Sequence, residues 1–388
     1  MITRTLRLAA LLSLAAAPAA GQSLYNAAGL GVPVEALDAR ARALGSLGIG
    51  LRGGSFMPTD PGALGRLSYS TGVMVAQPSW TDFSSPAGAT GKVQGTRFPL
   101  LGIAYPIIGG MASVQIGSVL DQSFEAESIS EVDFGRGPVT TTDTFQQDGS
   151  ISTLNLGFAR SVTDWLSAGV TVGRYAGSVD RVLTRSFEEE ETDDVDTYVE
   201  AGTWSYSAWA LTAGVAVDAL ENVRVAASIH LPGDLDAEAS AETRGADRSY
   251  ALPTQLRLGA SVTLMPALVV TGSVQLADWE STGADLIDGS YAGSQNGFGL
   301  GVELTQATFF GKNAPLRLGF REVGLPFAFL EQGGTERSFS GGFGLELSRQ
   351  GNVVLAGVDV AIERGLRFGG GVREEFWRAT ISLLASGL

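Results

Sequence analysis

The sequence predicts an all-β chain: a transmembrane antiparallel β-barrel of about 14 strands with an N-terminal plug-like segment. Three observations predict it. First, apolar residues recur with a period of two, and the intervening positions are small or polar, as in Leu166, Ala168, Val170 and Val172 against Ser167, Gly169, Thr171 and Gly173. Second, such arms come in pairs joined by short turns, with much longer connections between the pairs. Third, glycine accounts for 52 of 388 residues, about twice the usual share of roughly 7%, and falls largely inside the alternating arms. Glycine weakens a soluble strand, but it suits an inward face that must leave room in a lumen.

The elements follow in order. A first strand runs from Ser68 to about Asp82. Hairpins then pair 98–105 with 111–119, the arm beginning at Leu154 with 166–175, 204–218 with 223–231, 255–264 with 268–279, 296–306 with 315–322, and 337–347 with 353–362. A closing strand spans Glu374 to Ala385. One strand, six hairpins and a final strand give an even number, so first and last strands can meet and leave no edge for lipid to satisfy. The long connections are 83–97, 120–150, 179–203, 232–254, 280–295, 323–336 and 363–373. Trp80, Trp204, Trp279 and Trp377 lie near the long-loop ends and Trp165 near a short turn, as interfacial belts require. A soluble sandwich shows the same alternation with its apolar face turned inward, so strand count and rhythm decide for a membrane barrel over residues 67–388.

Residues 1–21 read as a signal peptide: Arg4 and Arg7, an apolar run from Leu8 to Ala17, then Pro18-Ala19-Ala20-Gly21. Removing them takes the formal charge from −15 to −17, which disfavours nucleic acid as a partner. The absence of cysteine excludes disulfides and lipoprotein acylation. Residues 22–66 show neither strand nor clear helix periodicity, and are expected to form a hatch inside the barrel or a periplasmic segment.

Short pieces of text resemble the FadL-type outer-membrane transporters of long-chain fatty acids and aromatic hydrocarbons. They are Asn26-Ala-Ala-Gly-Leu-Gly31, Ala41-Arg-Ala-Leu-Gly45, Leu252-Pro253, Leu256-Arg-Leu-Gly-Ala260, Asp278-Trp279, Leu316-Arg-Leu-Gly319 and Leu325-Pro326-Phe327, spread over most of the chain. The nearest text to the family's Asn-Pro-Ala is Asp60-Pro61-Gly62-Ala63, and the chain ends on Leu388 where such barrels usually end on an aromatic. The resemblance implies a monomeric fourteen-stranded barrel in the outer membrane, an N-terminal hatch, and passive entry of hydrophobic or amphipathic molecules through a loop-side groove and a lateral wall opening. Its implied partners are outer-membrane lipid, hydrophobic small molecules and the assembly machinery. Rival readings are a barrel for protein secretion or outer-membrane assembly, a general porin, and a barrel enzyme acting on lipid.

Candidate chemistry is sparse, and neither a catalytic residue, a metal site nor a cofactor is expected. The single histidine, His230, has no Gly-x-Ser-x-Gly elbow beside it and reads as a lumen or rim side chain. The acidic run Glu188 to Asp194 lacks the glycine-punctuated spacing of a calcium loop and reads as solvated. Arg224, Arg257, Glu303, Arg317, Arg321, Glu346, Asp359 and Arg378 fall on the inward register; both signs occur, so ion pairs between wall and plug are favoured over a selectivity ring. The apolar loop text 324–330 makes Leu325, Phe327 and Phe329 candidates for a substrate site or for packing in the barrel mouth. Full burial of each phenylalanine is worth about 1.5–3 kcal/mol.

Overall fold

The computed structural model describes residues 23–53, 56–84, 90–133, 138–187, 196–286, 291–309, 311–329, 333–350 and 353–387. The signal-peptide reading of 1–21 and the acidic run Glu188 to Asp194 lie outside the described residues. Fourteen strands form one closed antiparallel barrel: β1 (Thr71–Ser84), β2 (Thr90–Ile107), β3 (Gly110–Asp121), β4 (Pro138–Ser161), β5 (Leu166–Phe187), β6 (Tyr198–Leu220), β7 (Val223–Pro232), β8 (Gln255–Met265), β9 (Leu268–Ala277), β10 (Gly297–Leu304), β11 (Leu316–Leu325), β12 (Gly334–Gln350), β13 (Val353–Gly369) and β14 (Val372–Ser386). Each pairs with its sequence neighbour, and β1 closes on β14 from Thr71↔Ser386 to Ser84↔Arg373.

The side chains are sorted oppositely to those of a soluble protein. On β8, Leu256, Leu258 and Leu264 stand exposed while Arg257 and Ser261 are buried; on β4 and β5, Leu154, Leu156, Val170 and Val172 are exposed while Ser167 and Thr171 are buried. Among the described residues no second sheet covers the leucines, so water would meet a continuous apolar belt, whereas lipid matches it. The described residues contain no helix long and apolar enough to cross a membrane.

Two expectations are corrected. Several connections read as loops are strand: β4 is 24 residues long and β5 is 22, well beyond the roughly 9–11 that cross a bilayer. Phe124–Asp133 adds a further strand against β4. The stretch 363–373 is a tight hairpin whose corner, Gly370–Gly371, has φ of 57° and 78°, the left-handed pair that two-residue hairpins use. Inward Glu363, Gly365, Arg367 and Gly369 alternate there with outward Arg364, Leu366 and Phe368. The tryptophan belt is also only partly as expected. Trp80, Trp377 and Trp165 are exposed, and so is Trp209, but Trp279 is buried inside the barrel and Trp204 is half-buried, with Arg181 over its ring.

Residues 23–66 run along the inward face of the wall, from the long-loop end to the short-turn end. Tyr25 donates its hydroxyl to the carbonyls of Gly369 and Val372; farther along, Arg66 donates to the Asp164 carbonyl in the short β4–β5 turn at 2.6 Å. Between these points lie two single-turn helices, α1 (Ala39–Ala43) and α2 (Pro61–Leu64), capped by the carboxylates of Asp38 and Asp60. The inward glycines give this segment its room. The Gly45 carbonyl oxygen sits 1.9 Å from where a Cβ on Gly299 would lie, and the Pro61 carbonyl oxygen 2.3 Å from one on Gly169. On β1 the valines turn inward: Val73 and Val75 pack with Phe56 and Leu64 of the segment, and with Leu100, Ala104 and Met111.

Candidate functional site

Among the described residues the ladder of the wall breaks between β2 and β3. β2 and β3 pair from Ile107↔Gly110 only as far as Leu100↔Gly117. Beyond that level β2 continues against β1, and β3 against β4. Pro99 stands at the break, beside an irregularity in the β1–β2 register between Val75 and Gln77, and has no N–H to extend a ladder. The exposed edge of β3 is taken up from inside: Val32 pairs with Asp121 and Pro33 with Leu120, and the Val34 N–H donates to the Val119 carbonyl at 2.8 Å. Arg97 and Asp121 approach across the break at 3.8 Å.

Behind this edge lies an internal cavity of about 110 Å³. The N-terminal segment lines one side through Pro33–Ala36, Pro58 and Thr59; the inward faces of β3 to β8, with Trp279 and Gln295, line the other. His230 lies here between two hydroxyls, Tyr175 Oη 2.7 Å from Nε2 and Thr212 Oγ1 2.8 Å from Nδ1. No carboxylate orients its ring among the described residues, so it lacks the arrangement of a hydrolytic triad. Arg257, on the same wall, donates from Nε to Gln275 and from Nη2 to Gln255, both at 2.9 Å.

Above the cavity an aromatic cluster fills the long-loop end. Phe327 is buried edge-on against Trp279, with ring centroids 5.2 Å apart and 72° between planes. Tyr175, Tyr206, Tyr250 and Leu30 belong to this cluster, and Phe329 packs at its margin. Leu325 is buried with Tyr25 and Val32, and Phe329 lies 5.8 Å from the Tyr25 ring. The three apolar loop residues therefore sit within the barrel mouth, against the N-terminal segment and one another.

The inward charges fall into separate groups. Glu303, Arg317, Asp359 and Glu346 line a vestibule of about 740 Å³ at the short-turn end. There Glu303 joins Arg317 at 2.8 Å and Arg40 at 2.7 Å, Asp359 pairs with Arg317, and Glu346 accepts from Asn313 at 2.8 Å. Arg224 pairs with Asp218 at 2.8 Å and donates to the Leu51 carbonyl. Arg321 and Arg378 belong to a buried network centred on Glu336, which Arg321 reaches at 3.1 Å, Arg367 at 2.7 Å and Arg378 at 3.5 Å. Glu363, Arg367 and Glu374 of this network lie in or at the edge of text taken for loop, and the persistence of alternation through 363–369 was the signal for them.

The N-terminal segment is tied into the same charges. Glu35 binds Arg321 and lies 3.3 Å from Arg42, which approaches Glu363 at 3.9 Å. Burial alone would raise the Glu35 carboxyl, but the guanidiniums of Arg321 and Arg42 outweigh it and hold the group below the ordinary carboxylate range. Asp38 is the opposite case. Burial pushes it up to about 6, despite the hydrogen bond it accepts from the Ala41 N–H. Among the described residues no cluster of three or more metal-ligating side chains occurs.

No protein-family model matches the chain, and no curated protein matches it in sequence. Solved structures do match in shape. The chain is similar to the Ralstonia pickettii toluene transporter TbuX, at 16% identity with TM-score 0.59, covering 91% of this chain and 99% of that one. It is similar to the monoaromatic hydrocarbon channel CymD at 15% identity with TM-score 0.54, covering 92% and 98%. A Pseudomonas aeruginosa FadL homologue matches at 13% identity with TM-score 0.54, covering 95% and 98%. The fourteen-stranded barrel built here from its register is the fold of these channels and transporters.

Proposed function

We propose that this protein is an outer-membrane barrel that admits small hydrophobic or amphipathic molecules passively, with residues 22–66 as a plug and residues 1–21 as a removed signal peptide. One observation carries the reading: the break in the β2–β3 ladder stands beside an internal cavity, with the Val32–Val34 strap paired to the open edge. A porin needs no such break. A hydrophobic solute gains by leaving the lumen through the wall into lipid and avoiding water, since its transfer free energy scales with buried apolar area. The aromatic cluster around Phe327 and Trp279 supplies the apolar entrance. The solved channels of the same fold include a toluene transporter and a monoaromatic hydrocarbon channel, which supports a one-ring or fatty-acid-like solute. Neither a cofactor nor a catalytic step enters this reading.

The test is entry into liposomes carrying the full-length protein. Toluene is expected to equilibrate faster than into protein-free liposomes, and glucose is not. Rapid glucose entry with steady ion conductance would make the molecule an open porin.

A further inference from the structure

Arg257 is the exception among the guanidiniums buried in the wall. Arg224, Arg317, Arg321, Arg367 and Arg378 each have a carboxylate within 3.5 Å. Arg257 is equally enclosed, at 8% exposure, yet forms no ion pair among the described residues. Its Nε and Nη2 donate to the neutral side chains of Gln275 and Gln255, and no protein group among the described residues accepts from Nη1. Removing a guanidinium from water costs several kcal/mol unless an opposite charge compensates. Here the compensating charge is not supplied by a contacting residue of the wall, and the side chain borders the internal cavity.

The rest of the lining limits what that charge can be. Trp279, Leu252, Pro33, Val119 and Leu120 give the cavity a largely apolar flank, so a small inorganic anion would leave most of it unmatched. Its volume of about 110 Å³ is of the order of the roughly 150 Å³ apolar cavity known to hold a benzene ring. Glu35 also lines it: its Oε2 is engaged by Arg321 and Arg42, its Oε1 has no hydrogen-bond partner among the described residues, and it forms no ion pair with Arg257. The Tyr175 hydroxyl and the His230 imidazole stand on the same polar side as Arg257. One apolar flank, one unpaired cation and a few fixed polar groups form the pattern of a pocket that orients an amphipathic ligand.

We propose that the cavity is a binding site for a small aromatic carboxylate, its ring against Trp279 and Leu252 and its carboxylate on Arg257. The assignment rests on the passive-uptake reading above and narrows it to acids of one ring. Benzoate and benzamide are the probes, being nearly equal in shape and different in charge. Titration calorimetry on the full-length protein in detergent is expected to give benzoate the tighter binding by about tenfold, the effect of one hydrogen bond to a charged group. Arg257→Gln brings the two constants together, and Arg257→Lys retains a preference for the acid; slower migration of the boiled than the unboiled protein on gels reports that each variant is folded. Equal binding of both probes by the wild type, or an unchanged ratio in Arg257→Gln, overturns the acid site. Toluene entry into liposomes reads the underlying proposal by itself: if toluene enters while benzoate and benzamide bind alike, only the acid site fails, and if toluene does not enter, the uptake reading fails.

Discussion

Val32 pairs with Asp121 at the point where β3 has already parted from β2. A strand edge at membrane depth is costly because lipid offers its N–H and C=O groups no partner. The N-terminal segment supplies that partner from inside, so the same contact seals the wall and holds the segment.

If this pairing gates the wall, locking it should stop entry. The chain has no cysteine, so Val32→Cys with Asp121→Cys introduces a single pair at facing positions of an antiparallel bridge. Toluene entry into liposomes is expected to fall toward the protein-free rate under oxidising conditions and to recover with dithiothreitol. Unchanged entry in the fully oxidised protein would show that the strap does not move.

The glycine row facing the N-terminal segment predicts a separation of that segment from the barrel wall. A leucine at Gly319 would place its Cβ 2.3 Å from the backbone nitrogen of Gly45, so the segment must shift while the β11 ladder to β10 and β12 stays intact. Gly319→Leu is expected to fold as a barrel and to raise single-channel ion conductance above that of the wild type. Loss of the barrel, or conductance equal to wild type, would contradict the packing described.

Glu336 is shared by Arg321, Arg367 and Arg378, so Glu336→Gln leaves three buried guanidiniums short of one carboxylate. Breaking a buried ion pair from one side costs about 3–5 kcal/mol. Urea unfolding in detergent should show a loss of that order, whereas Glu375→Gln, whose pairs are exposed, should be nearly neutral.

Phe327→Ala tests the barrel mouth. The side chain is buried against Trp279, and truncating a buried phenylalanine costs about 3–5 kcal/mol. The loss should appear in urea unfolding, with protease cleavage of the 326–333 connection increased. Wild-type stability and protease resistance would mean that the cluster does not hold the mouth together.

Asp38 gives a pH dependence of defined sign. Its carboxyl is raised to about 6 in the folded chain, so the fold favours the neutral form. The associated stability is fully present below the unfolded value of about 4 and is lost as pH rises through about 6. Asp38→Asn keeps a side chain able to cap α1. It is therefore expected to stabilise the protein at pH 8, by about 1–3 kcal/mol, and not at pH 3, with urea midpoints at the two values as the measurement.

Legibility in the sequence followed local chemistry. Period-two alternation needs only neighbouring residues, so all fourteen strands could be read, as could the inward register of Arg257, Glu303, Arg317 and Arg321. Alternation weakened where charge or threonine replaced apolar residues on the outer face. That is why the upper parts of β4, β5 and β13 read as loop, and why Glu336, Glu363 and Arg367 were missed.

The sequence by itself determined a barrel, because hydrogen-bonded strands with one apolar and one small polar face can satisfy both lipid and backbone only by closing. Tertiary structure alone decided three things. It turned Trp279 inward, it seated Val32 on the open edge of β3, and it left Arg257 beside a cavity with no ion pair among the described residues. Each depends on which residues, far apart in the chain, meet across the lumen, and the period of a strand says which face a side chain takes but not what stands opposite it.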